Sequence, residues 1–563
     1  MHSPGHHSSV GFTRRGLLSA CAAALPYYRA FAQSPEVELV EVKTAYGRVR
    51  GARIATDLTT FKGIPYAGSV AMARRFKAAP PLGPWTGVRD ALALGPPSPQ
   101  PGRTARGNEP APAEDCLVLN IWTPAADGRK RPVMFYSHGG GFTTGSGGAG
   151  YQDGGNLART FDVVVVATNH RLGLMGYLYL GDLGGEEYAT SGNQGLLDIR
   201  DGLRWVKENI EGFGGDPNSV MIFGESGGGA KTSCIYALPS AASYFNKASI
   251  ESGPGIRMLP REVAIETTVM TLKQLGIEKS EWRKLLEVPV DQLMDAQAGL
   301  SRAPSGGGPL TMTGGRRGMG GGTRPGGFGP VVDGSILPRH PFDPEAPAVS
   351  KDKPLIVGSN RDETIFFFQQ QRNTEVFQLT DATLKERLDK EFGSNAGAML
   401  DAYSKSRPGA SPTDLYIAIT TARMIGIGAI TIAERKYTQH GAPAYMYIFT
   451  HESNALVPGT EHKVGAAHAA EIPYKFYNVH RGQPSGGGRG IMSASGPESE
   501  TAAHNMAEMW STFARTGHPA AKGQPIWPAY TAEKRSTMEI NTECRVVEDP
   551  YSLERQVWER LDP

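Results

Sequence analysis

Short runs rich in β-branched and aromatic residues recur along the chain, separated by stretches whose apolar positions fall every three or four residues. Arg131-Pro-Val-Met-Phe-Tyr136 and Phe161-Asp-Val-Val-Val-Val-Ala167 are runs of the first kind, bounded by polar or glycine residues. A strand without a polar face belongs in a mostly parallel sheet covered on both sides. Leu196, Ile199, Leu203, Val206 and Ile210 then recur at helical spacing, with Arg200, Arg204, Lys207 and Glu208 on other faces. That periodicity predicts an amphipathic helix. Gly214-Gly215-Asp216-Pro217 breaks it, Ser219 to Phe223 reads as the next strand, and Ala230 to Leu238 as the helix after that. Pro354 to Val357 and Ala444 to Phe449 add two further strands. From about Val37 onwards the alternation of strands and helices predicts an α/β protein with a mostly parallel central sheet.

Within this pattern the stretch Val220 to Ser233, VMIFGESGGGAKTS, carries one serine in a glycine-rich turn. Glycine supplies 71 of 563 residues. At that frequency a G-x-S-x-G match arises by chance roughly half a time in a chain this long, so the motif needs its context. The context fits, because Ser226 lies between a strand and a helix, where a nucleophile elbow is built. A serine hydrolase also needs a histidine to carry the proton, a carboxylate to orient it and N–H donors for an oxyanion. Ser137-His138-Gly139-Gly140-Gly141-Phe142 directly follows a strand and suits the last task, with His138 structural rather than a proton carrier. For the acid, Asp362 and Glu363 are adjacent after a strand, and spacing does not choose between them. For the base, His462 and His468 both follow the strand Ala444 to Phe449.

Charge and composition narrow the classes. The formal net charge is +2, with acidic and basic residues interspersed, so no footprint for nucleic acid or an anionic membrane surface emerges. Thr13-Arg14-Arg15-Gly16-Leu17-Leu18, an apolar run to Pro26 and Ala30-Phe31-Ala32 predict a twin-arginine-type export signal over residues 1–32. The expected product is periplasmic or secreted after cleavage near Ala32, with lipidation at Cys21 as the alternative. No later run of ~18 consecutive apolar residues is found. Past the signal, Cys116, Cys234 and Cys544 are spaced for neither a zinc site nor a disulfide framework. Gly-rich stretches near 303–329 and at 484–490 read as flexible surface insertions in a single domain spanning 33–563.

Taken together, the motifs resemble those of the type B carboxylesterase/cholinesterase family. The matching pieces include Phe61-Lys-Gly-Ile-Pro-Tyr-Ala67, Glu114-Asp-Cys-Leu-Val-Leu-Asn-Ile-Trp-Thr-Pro124, His138-Gly-Gly-Gly-Phe142, Asn169-His-Arg-Leu-Gly173 and Gly224-Glu-Ser-Gly-Gly228. They continue through Ile250-Glu-Ser-Gly253, Pro330-Val-Val-Asp-Gly334, His468 with Glu471-Ile472, and Trp527-Pro528, covering roughly 37–545. The resemblance implies an α/β-hydrolase fold with helical and loop insertions around the active site, and a serine carboxylesterase. It implies Ser226 as nucleophile, Glu363 as acid and His468 as base, with oxyanion N–H groups from Gly140, Gly141 and Gly227. Glu225 and Ser252 match positions near the triad. No metal or cofactor is called for, and the partner is a small-molecule ester. An amidase or carbamate hydrolase with the same triad, and a non-catalytic binding protein, are the alternatives. Gly227 stands where the family usually has alanine, and Ala469 and Thr364 where it usually has glycine. Cys116 matches a family half-cystine, but no cysteine lies between Tyr66 and Asp115 to pair with it.

Overall fold

Neighbouring residues of the central strands enter two different cores, as strands buried on both faces require. In β1, Arg131–Ser137, Val133 and Phe135 join one apolar cluster while Met134 and Tyr136 join the other. The same division separates Val164 and Val166 from Val165 and Ala167 in β2, Val164–Thr168, and Val220 and Ile222 from Met221 and Phe223 in β3, Gly215–Glu225. The period of two along a strand produces this split. In this computed structural model residues 38–302, 325–479 and 495–561 are described. The expected signal over residues 1–32, Cys21, most of the first glycine-rich insertion and all of the second lie outside them.

The described residues from Leu39 onwards pack as one unit around a thirteen-stranded sheet. Its centre is parallel and runs β2, β1, β3, then β4 (Lys247–Glu251), β5 (Leu355–Asn360), β6 (Ala444–Phe449) and β7 (Thr537–Ile540). Antiparallel strands extend both edges, Val118–Thr123 beside β2 and Arg545–Val547 beside β7. Helix α1, Gln194–Asn209, covers one face with Leu196, Ile199, Leu203 and Val206. Helix α2, Gly227–Ala237, follows β3 directly. On the opposite face Met506, Trp510 and Phe513 of Pro497–Thr516 pack against Met221 and Tyr447.

The boundaries differ from the sequence reading in instructive places. Phe161 ends the helix Gly155–Phe161 rather than opening a strand, because Asp162 turns left-handed at φ 52° before β2 begins at Val164. Strand β3 starts at Gly215, before the Asp-Pro pair, with an irregular register opposite Arg131 and Val133. Helix α2 begins at Gly227, not Ala230, so the glycines are its first turn. The continuous helical segment Pro412–Thr438 is long and apolar enough to cross a membrane, with a hydropathy of 1.6 in its most apolar window. It contains no uninterrupted apolar run of that length, since Thr413, Asp414, Thr420, Thr421 and Arg423 interrupt it. Of that window 72 % is buried inside the molecule, with Ile417 and Ile419 in one core and Ile432 in the other, as in an internal core helix. Cys116, Cys234 and Cys544 are free and buried.

Candidate active site

Ser226 occupies the sharp turn between β3 and α2, with φ 58° and ψ −124°. A non-glycine residue avoids this conformation unless its surroundings enforce it. Here the Ser226 N–H donates to the Glu251 carbonyl on β4 at 2.9 Å, and the Ala230 N–H donates back to the Ser226 carbonyl at 3.1 Å. The strand end and the helix start thus hold the side chain outward at the carboxyl edge of the sheet.

From Ser226 a hydrogen-bonded line runs inward. Its Oγ lies 2.7 Å from His468 Nε2, and His468 Nδ1 lies 2.6 Å from Glu363 Oε2. Glu363 follows β5 and His468 lies in the segment after β6, so the three groups come from beyond the ends of three parallel strands of one sheet, with β4 between β3 and β5. The other Glu363 oxygen accepts the Asn360 N–H at 2.7 Å. Asp362 turns away, accepting the Ala466 N–H at 2.9 Å and pairing with Arg361 at 2.8 Å. His462 sits apart from this line, 3.1 Å from Asp414. Of the two pairs that spacing left open, Glu363 and His468 lie on the line from Ser226, and Asp362 and His462 lie off it. Ala469, in place of the family's glycine, is left-handed at φ 66°. Thr364 replaces the other glycine and packs its hydroxyl 2.8 Å from that of Thr420.

The glycine strap after β1 faces Ser226. Gly140 and Gly141 have φ 90° and 61°, the left-handed region that favours glycine. Among the described residues their N–H groups have no protein acceptor, and Gly227, first in its helix, has no intrahelical one. The strap and the helix start meet closely: a Cβ on Gly227 would overlap the N, Cα and O of Gly141. Three glycine N–H groups without a protein acceptor among the described residues therefore lie in the two segments that meet next to Ser226. Beneath the strap, the Lys231 ammonium donates to the His138 carbonyl at 2.9 Å, and His138 stacks on His170 with ring centroids 4.6 Å apart.

A family model described as the carboxylesterase family matches residues 38–558. The chain belongs to the carboxylesterase family. It is a carboxylic ester hydrolase of α/β-hydrolase fold, consistent with its curated relatives and with solved structures. The para-nitrobenzyl esterase of Bacillus subtilis (strain 168) is 33 % identical over 518 residues, covering 92 % of this chain and 97 % of that protein. A phenmedipham hydrolase of Pseudarthrobacter oxydans is 30 % identical, with 88 % and 93 % covered. A crystal structure of a Geobacillus stearothermophilus carboxylesterase superposes with a TM-score of 0.77 at 36 % identity, covering 92 % of this chain and 99 % of that one.

In this carboxylesterase the groups around His468 are buried and strongly coupled. Burial pushes the Glu225 carboxyl up to about 8, against the pull of His468, whose Nε2 is 3.3 Å from its Oε1. Burial also raises Glu363, opposed by His468 and by the Ser252 hydroxyl beside it. Burial lowers His468, but Glu225 and then Glu363 outweigh it and raise the imidazole to about 9. A proton on Glu225 would remove the negative charge that contributes most to raising His468. Both residues matched only by resemblance, Glu225 and Ser252, thus lie against the line. Below them Lys475 pairs with Glu251, and Trp510 Nε1 donates to Glu251 Oε1 at 2.6 Å.

A cleft of about 630 Å³ opens above Ser226. Phe366 and Phe367 of the helix Thr364–Gln370 form one wall, the Phe367 ring 4.8 Å from the His468 ring. Arg103 and Arg106 of the loop after Pro101 and Tyr151 of the helical turn Gly150–Gln152 also line the cleft. None of these five was singled out from sequence. The adjacent phenylalanines just after Asp362-Glu363 were the one available signal.

Proposed function

We propose that this carboxylesterase cleaves esters through an acyl-enzyme formed on Ser226. The observation that carries the reading is the unbroken line from Ser226 Oγ through His468 to Glu363 Oε2. As Ser226 attacks the ester carbonyl, His468 Nε2 takes its proton, and Glu363 orients and stabilises the imidazolium. The carbonyl oxygen becomes an oxyanion facing the free N–H groups of Gly140, Gly141 and Gly227. Each such donor typically contributes ~10²–10³ in rate because it is aimed before charge develops. His468 then protonates the departing alkoxide, the carbon–oxygen bond breaks, and the acyl group stays on Ser226. Water repeats the sequence: it adds to the acyl carbonyl, loses its proton to His468, and releases the acid and the serine.

The deciding experiment is hydrolysis of p-nitrophenyl esters from acetate to decanoate by the protein and its Ser226→Ala variant, with an organophosphate as covalent probe. The expected result is a burst of nitrophenol and a labelled Ser226, both abolished in the variant, with kcat down by about 10⁶. Turnover retained by a pure Ser226→Ala preparation would overturn the assignment. A labelled serine without turnover of these esters would point to an amide or carbamate carbonyl at the same groups. We also propose export, on the N-terminal pattern alone; an N-terminus of the mature protein near Gln33 tests it.

A further inference from the structure

The cleft lining is uneven in charge. The helix Thr364–Gln370 contributes the Phe366 and Phe367 rings and the neutral Gln370, whereas the loop after Pro101 contributes Arg103 and Arg106. Glu225 is the sole carboxylate among the described lining residues, and it is buried against His468. Arg103 pairs through Nη2 with Glu109, whose other oxygen is held by the Ser146 hydroxyl. Its Nε–H is buried without a hydrogen-bond partner. Arg106 is exposed and has no ion-pair partner among the described residues. The loop that carries both is pinned by reciprocal backbone hydrogen bonds between Arg106 and Glu109, each 3.1 Å. Burial pushes the phenol of Tyr151, another lining residue, up to about 12, with Glu225 and Glu109 adding to the rise and Arg103 and Arg106 opposing it.

A lining with one unpaired guanidinium and a second holding an unused N–H carries an excess of positive charge beside Ser226. We propose that this part of the lining is a carboxylate subsite, and that the preferred substrates are esters bearing a free carboxylate away from the scissile bond. The Phe366 and Phe367 rings take the hydrocarbon part while Arg106, with Arg103 behind it, takes the charged end. Arginine suits this because its planar fork matches a carboxylate. The inference rests on Ser226 chemistry for its turnover test but not for its binding test.

Two pairs of esters differing only by a methyl cap on the acid read the subsite. One pair is 4-nitrophenyl hydrogen adipate and its methyl ester, with the carboxylate on the acyl side. The other is 4-acetoxybenzoic acid and its methyl ester, with the carboxylate on the leaving side. In at least one pair the acid should exceed its capped partner in kcat/KM by about tenfold, the effect of one charge contact at a partly solvated site. Raised salt should shrink that ratio. Arg106→Glu should reduce it at least tenfold, because repulsion replaces attraction. Calorimetric titration of the Ser226→Ala protein with the same acids and caps should show the same preference in Kd. Ratios at or below one in both pairs, or a ratio that Arg106→Glu leaves unchanged, would overturn the subsite. Hydrolysis that survives Ser226→Ala would instead overturn the nucleophile, and the Kd comparison would still decide the subsite.

Discussion

Gly227→Ala adds one methyl group at the point where the helix start touches the glycine strap after β1, and the local geometry sets the size of its effect. Gly227 is helical, so alanine suits its backbone and is favoured there by up to about 1 kcal/mol through propensity. Its Cβ, however, would overlap Gly141 N, Cα and O, all backbone atoms of a segment already left-handed at φ 61°. Cβ atoms essentially never sit within 3.0 Å of such neighbours, and the strap must retreat by roughly 1 Å to restore contact distance. Overpacking of this kind typically costs 1–3 kcal/mol of stability, which outweighs the propensity gain. A displacement of about 1 Å at reacting groups can cost ~10², and loss of one oxyanion donor ~10²–10³. We therefore expect kcat for p-nitrophenyl acetate to fall about 10²-fold or more, with KM little changed and Tm lowered by a few degrees. Organophosphate labelling should slow in parallel, since it uses the same donors. A variant with kcat within about threefold of the parent would refute the reasoning, showing that the strap gives way without loss of alignment.

Two further changes test the electrostatics. Glu363→Gln removes a carboxylate that raises His468, so kcat should fall by about 10⁴ and the acid limb of the pH–rate profile should move to lower pH; a limb that stays or moves up would contradict the coupling. Lys231→Met tests the buried ammonium under the strap, which burial depresses from 10.5 to about 7. Between those values the unfolded chain binds a proton that the folded one lacks, so this lysine makes stability rise with pH. Below pH 7 it costs on the order of 4–5 kcal/mol, against ~1–3 kcal/mol for the hydrogen bond lost to the His138 carbonyl. The variant should thus melt higher than the parent below pH 7, and the gap should close towards pH 10.5; a constant gap in Tm would count against it.

The parts of this enzyme that were legible in the sequence are those whose reasons are local. Alternating cores follow from strand periodicity, and the elbow follows from a serine between a strand and a glycine-led helix turn. Asp362 and Glu363 were indistinguishable because adjacent residues leave the chain in different directions, and only the loop path shows that Asp362 meets the Ala466 N–H while Glu363 meets His468. The apolar pattern also hid what it treats as surface. Glu225, Glu251, Glu363, Glu471 and Lys475 are all buried, as is the pair Arg171–Asp198 at 2.6 Å. Arg171 and Asp198 balance each other, but the first group sets four carboxyls against one ammonium, and a net charge of +2 over the whole chain carries no trace of either. The physics of the site lives in that local imbalance. An imidazole buried alone would be neutral and weakly basic, and one beside a single ionised glutamate would be held charged. Glu225, which burial raises to about 8, stands 3.3 Å from the same nitrogen that meets Ser226, with its Oε1 in no hydrogen bond among the described residues, so it acts on His468 through its charge. That arrangement joins strand ends more than a hundred residues apart, which is why no window of sequence contains it.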